Sequence, residues 1–200
     1  MPMVFYDRIP YGMNVSQVIV DDYIKAFFLV EHLIREGYRH IVHLQGPDDV
    51  YHSVERARGY KDALVKFNIP FDKDRMLKAG LTFKDGANAA DMLIEKGVSF
   101  DAIFAFTDTL AIGAMNRLRD LGKKIPEEIA IASFSGTVLS TIVYPQLTTV
   151  EPPLQQMGKV VAELIIEKIK EPLSPNRSIV LDAEIKLRAS SKKEKDSKGK

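Results

Sequence analysis

The chain has 200 residues, 46% hydrophobic and 28% charged, an ordinary globular balance whose length admits one large domain or two small ones. Its formal net charge is +1, but the last nine residues carry five lysines, so residues 1–191 stand at −2 and lack the basic excess that nucleic-acid binding leaves. The absence of cysteine excludes disulfides, thiolate catalysis and cysteine-based zinc sites and fits a reducing, cytoplasmic setting; no apolar run reaches the ~18 residues of a membrane span, and the first residues lack a signal-peptide pattern.

Met3 to Tyr6 and Val15 to Val20 read as strands. Asp21 to Glu36 reads as a largely buried helix ended by Gly37. Ile41 to Leu44 is a short strand stopped by Gly46-Pro47. Ala57, Tyr60, Leu64 and Phe67 share one helix face, and the weak strand Met76 to Gly80 follows. Ala90, Leu93 and Ile94 mark a helix closed by Gly97, Ala102 to Phe106 a buried strand, and Ala111, Ala114, Met115, Leu118 and Leu121 the next helix, closed by Gly122. Ile129 to Phe134 is another apolar strand, and Leu154, Met157, Val161 and Leu164 mark a long helix through about Lys170. Strict alternation from Ile179 to Leu187 predicts one edge strand, and residues 192–200 read as a disordered basic tail. Short apolar strands alternating with helices make the fold class α/β, built from parallel βαβ units.

In such sheets ligands bind beyond the carboxyl ends of the strands. Those ends carry Gly46-Pro47-Asp48-Asp49 leading to Arg56, then Leu81-Thr82-Phe83, Thr107-Asp108 and Ser135-Gly136-Thr137, the polar and aromatic groups a small-molecule site needs. Phosphate-loop, dinucleotide-binding, nucleophile-elbow and zinc-protease motifs are all missing, so no catalytic residue, metal ligand or cofactor is assigned. His32, His40, His43 and His52 lack metal-ligand spacing and read as structural.

Four ordered segments resemble the effector-binding core of the lactose-repressor/galactose-repressor (LacI/GalR) family of bacterial transcription regulators. They are Gly37-Tyr38-Arg39-His40-Ile41 with Glu55-Arg56-Ala57-Arg58-Gly59-Tyr60; Phe104 to Ala114 through Thr107-Asp108; Lys124-Ile125-Pro126-Glu127-Glu128-Ile129-Ala130; and Tyr144-Pro145-Gln146-Leu147-Thr148-Thr149-Val150. The resemblance covers residues 2–191 and implies a periplasmic-binding-protein-like fold of two α/β subdomains around a cleft. Residues 1–20 and 151–178 would be a remnant of the N-terminal subdomain, and 21–150 with 179–191 the nearly whole C-terminal one. A helix-turn-helix DNA reader would lie outside this segment, which alone is not expected to recognise an operator. A transport-type periplasmic sugar-binding protein is the alternative on the same fold.

The resemblance also implies site residues. Arg56 would donate to effector oxygens; the plainer reading is a helix-start arginine paired with Glu55 or Asp48. Asp7 would be a cleft carboxylate, or a turn residue. Asp108 would contact ligand, cap its helix, or both, and Thr107 departs from the family's usual asparagine. Ser135 stands where the family carries an aspartate, so the effector, a sugar or similar metabolite, is held differently there. Phe83 or Leu81 would pack on an effector ring or in the core. The apolar Val138, Leu139, Ile142 and Val143 would contribute to a homodimer interface.

Overall fold

The computed structural model describes residues 1–7, 9–10 and 12–193. Strands β1 (Val4–Tyr6) and β2 (Ser16–Val20) are followed by helix α1 (Asp22–Arg35), β3 (Ile41–Gln45), α2 (Tyr51–Lys66), β4 (Met76–Lys78), α3 (Phe83–Glu95), β5 (Ala102–Ala105), α4 (Asp108–Asp120) and β6 (Ala130–Phe134). The one-turn helix α5 (Leu139–Ile142), β7 (Thr148–Glu151), α6 (Leu154–Lys170), β8 (Ser178–Leu181) and β9 (Glu184–Lys186) complete the order. Two sheets result. The smaller is parallel in the order β1-β2-β8; the larger runs β4-β3-β5-β6-β7-β9, parallel except for the antiparallel edge strand β9.

Strand alternation divides the core of the larger sheet. Ile41, Phe104, Ala132 and Phe134 face α1 and α2 together with Leu29, Leu33 and Tyr60, and this cluster runs on to Val18 and Met157 beside the smaller sheet. Val42, Leu44, Ile103 and Ile131 face α3 and α4 with Leu93, Leu110 and Leu118. Both faces are therefore covered, which accounts for strands that read as continuous apolar runs. Asp21 caps α1, its carboxylate accepting from Ile24 N at 2.9 Å, and Thr82 with Asp85 forms a capping box on α3.

The chain crosses between the sheets near Asp21, at Pro152-Pro153 and at Asp182-Ala183. The last crossing corrects the single edge strand expected over 179–187. The run divides: residues 179–181 belong to β8 in the smaller sheet, and only β9 joins the larger one. Ala183, 1% exposed, is buried between them, so alternation continues through the break and hides it. Of the basic tail, Lys192 and Lys193 are described, and Lys193 lies against the first helix: its N–H donates to Glu36 Oε2 at 3.3 Å and its ammonium sits 4.4 Å from the Tyr38 ring centroid. Residues 194–200 of that tail fall outside the described residues. No helix of the described residues is long and apolar enough to cross a membrane.

Candidate functional site

The carboxyl ends of both sheets open onto one cleft of about 230 Å³. One wall is built from Tyr6 at the end of β1 and Asp7 just after it, Ile19 and Val20 at the end of β2, and Leu154 and Met157 from α6. The other comes from Asp22 at the start of α1, Tyr51, His52 and Arg56 of α2, and Ser135 after β6, with Pro152 at the crossing. In the larger sheet the chain goes from β3 outward to β4 and then back across to β5. The start of α2 therefore sits at a topological switch point, where open α/β sheets place ligands.

Arg56 is the buried centre of this arrangement. Its Nε donates to Asp22 Oδ1 at 2.8 Å and its Nη1 to the Phe106 carbonyl at 2.7 Å. The guanidinium lies 3.5 Å from the Phe134 ring centroid and 4.8 Å from that of Phe106. His52 stacks on Phe106, with centroids 5.1 Å apart and planes 8° from parallel. Gly46, just beyond β3, leaves the space that the Phe106 ring occupies. Burial pushes the Asp22 carboxyl up and the adjacent guanidinium opposes it; burial pushes Arg56 down while Asp22 and then Asp7 oppose that. Neither partner expected for Arg56 is used: Glu55 pairs with Arg58, and Asp48 with Lys78.

Asp7 and Ser135 reach the cleft from opposite walls, and both have left-handed backbones, with φ of 60° and 133°. Among the described residues Asn68 is the third non-glycine residue with positive φ. Two of the three therefore line this cleft, and such conformations concentrate where a structure holds a site in shape.

Three expected site residues do not line it. Thr107 caps α4, its hydroxyl accepting from Leu110 N at 3.3 Å. Asp108 is fully buried and saturated: it accepts from Ser133 Oγ and Thr149 Oγ1, each at 2.7 Å, and from Thr137 N and Oγ1 at 2.6 and 2.8 Å. It is neither the cap nor a lining residue; it ties the loop that carries Ser135 to β6 and β7. Phe83 opens α3 with its ring half-exposed, away from the lining residues, and its backbone packs against Gly113 of α4. Of the four apolar residues expected at a dimer face, Val138 and Ile142 are exposed, whereas Leu139 and Val143 turn inward onto the α3–α4 core.

Tyr6, Ile19, Val20, Asp22, Tyr51, His52, Pro152, Leu154 and Met157 line the cleft without having been picked from the sequence. Most sit where a strand ends or a chain crosses, a location visible only once the sheet order is known. Among the described residues no group of three or more histidines and carboxylates is placed to hold a metal ion.

A family profile described as a periplasmic binding protein-like domain matches residues 30–191. The transcriptional regulator CelR of Thermobifida fusca is 28% identical over 193 residues, which are 95% of this chain and 56% of that protein. The repressor PurR of Vibrio atlanticus is 31% identical over 192 residues, 96% of this chain and 58% of that one. The chain thus spans somewhat over half the length of these relatives. Among solved structures, a CelR–cellobiose complex superposes with a TM-score of 0.88 at 28% identity, covering 94% of this chain and 58% of that one. The transcription regulator CcpA of Lactococcus lactis superposes at 0.87 with 30% identity, covering 96% and 70%.

Proposed function

The chain belongs to the periplasmic-binding-protein-like family as it occurs in LacI/GalR-type transcription regulators, and on that premise we propose that it is the effector-sensing part of such a regulator. The observation that carries this reading is the cleft itself, a single concavity walled by both sheets and crossed by the chain three times. A ligand that touches both walls favours the arrangement in which they are close, and its differential affinity for closed and open states supplies the coupling, typically ~1–3 kcal/mol.

The ligand class is a sugar or similar small metabolite, in keeping with the cellobiose held by the CelR relative. Asp7, Ser135 and the Arg56 edge supply acceptors and donors, and Tyr6 and Met157 apolar surface. The cleft binds and does not turn over its ligand, as in relatives that are regulators. In the whole cytoplasmic protein, a helix-turn-helix domain would read DNA and two copies would pair, so that ligand changes how paired readers fit two half-sites.

Calorimetry against a panel of neutral mono- and disaccharides tests this. A hit should be weakened about five- to twelvefold by Tyr6→Ala on one wall and by Ser135→Gly on the other, because each removes a contact worth ~1–1.5 kcal/mol. A hit indifferent to both substitutions would place the ligand elsewhere and defeat the reading.

A further inference from the structure

We propose that Asp22 sets the charge preference of the cleft: by holding Arg56 in an ion pair it makes the site select uncharged polyhydroxylated ligands and turn away anionic ones such as sugar phosphates and sugar acids. This inference rests on the effector-binding reading and deepens it.

A guanidinium in a cleft would ordinarily invite a carboxylate or phosphate, whose geometry matches its fork. Here two of the three guanidinium nitrogens are already engaged. Asp22, 5% exposed, takes Nε at 2.8 Å, and Nη1 is committed to the Phe106 carbonyl. The rings of Phe134 and Phe106, with centroids 3.5 and 4.8 Å from the guanidinium carbon, pack against the group and oppose its swinging out to meet an incoming anion. Both members of the pair are nearly buried, so water and salt screen them little. What remains for a ligand is the donor capacity of a guanidinium whose charge is already matched.

The rest of the described lining adds no lysine or arginine. Its carboxylates and guanidinium are Asp7, Asp22 and Arg56, an excess of one negative charge when the cleft's His52 is neutral. Asp7 serves hydroxyl donors well and an anion badly, since like charges brought together in a cleft repel, a repulsion that water and salt weaken at this exposed carboxylate. The Asp22–Arg56 pair is thus an element that works by repulsion and by occupation, and the residue that enforces it is the aspartate.

The test compares the whole chain with Asp22→Asn, an isosteric change that leaves a hydrogen-bond acceptor for Nε and removes the compensating charge. Inorganic phosphate serves as the probe in thermal-shift measurements. Matched pairs (ribose and ribose 5-phosphate, glucose and glucose 6-phosphate, cellobiose and cellobionate) are titrated by calorimetry. We expect phosphate to leave the parent protein's Tm unmoved and to raise that of Asp22→Asn. The parent should bind the neutral member of a pair at least tenfold tighter than the anionic one, and the variant should narrow that ratio at least tenfold. A parent protein that prefers the anionic member, or a ratio unchanged in Asp22→Asn, would overturn the proposal while leaving the sensor reading intact. A panel silent in both proteins would count against the sensor reading itself. Should Asp22→Asn not fold, the parent's matched-pair ratio still decides, and Asp7→Asn, which removes an exposed carboxylate from the same cleft, should narrow it in the same direction.

Discussion

His43 shows how far a side chain's surroundings can move its chemistry. It sits in the middle of β3, fully buried, with Nδ1 at 2.9 Å from the Phe104 carbonyl and its ring stacked 4.7 Å from that of Phe104. Burial pushes its pKa down to about 4, whereas the unfolded chain protonates it near ~6.5. Between these values the unfolded state binds a proton that the folded state refuses. Stability from this group is therefore complete above about pH 6.5 and is lost as pH falls toward 4, at ~1.4 kcal/mol per unit and about 3 kcal/mol in all. Urea midpoints measured from about pH 7 down to about pH 4.5 should fall, and fall less steeply in His43→Gln; equal slopes would refute this assignment. At this scale the sequence was partly legible. The place of Arg56 in the cleft and the reach of Asp7 and Ser135 into it could be inferred, whereas His52, read as structural, stands in the cleft lining. The partners could not be inferred, because the Asp22–Arg56 pair joins residues 34 apart and the Asp108 cluster gathers donors from 25 to 41 residues away. Local inspection could offer Arg56 only Glu55 and Asp48, and could offer Asp108 only a cap.

Among the elements, periodic spacing located the five longer helices of the described residues well, since each buries one apolar face against a sheet. It missed β7, where Thr148 and Thr149 interrupt the apolar pattern. Both are fully buried because their hydroxyls are engaged, Thr148 by the Arg188 carbonyl and Thr149 by Asp108. It also gave no warning of how closely the helices approach. A Cβ on Gly113 of α4 would collide with the backbone of Phe83, and one on Gly86 of α3 would collide with that of Leu110, so α3 and α4 touch backbone to backbone. Gly59 does the same for α2 against Tyr23 and Phe27 of α1. Helix propensity counts such glycines as a cost, and only packing explains them. Gly113→Ala should accordingly destabilise the protein by roughly 1–3 kcal/mol, despite its better helix propensity. Chemical denaturation that showed it neutral or stabilising would mean the two helices separate readily.

For the molecule as a whole, the α/β class, the family and the two-part plan followed from strand–helix alternation and the four motifs. The point where the last alternating run changes sheets did not. The exposed ends of α5 concern the assembly. Val138 and Ile142, 72% and 69% exposed, stand next to Tyr144 at 80%, an apolar ridge fixed from beneath by Leu139 and Val143. We propose this ridge as part of a homodimer contact. Sedimentation at increasing concentration should show a reversible monomer–dimer equilibrium, and Val138→Asp with Ile142→Asp should shift it at least tenfold toward monomer. A monomer throughout, or a dimer indifferent to both changes, would remove the ridge from the interface.

The three crossings at Asp21, Pro152-Pro153 and Asp182-Ala183 also have a mechanical consequence. Three tethers between two bodies are loaded in parallel, so they resist pulling the bodies apart, and any change in how the bodies are set is taken up by backbone rotation within these same short segments. A single backbone nick at any one of them would leave the two halves joined by the other two.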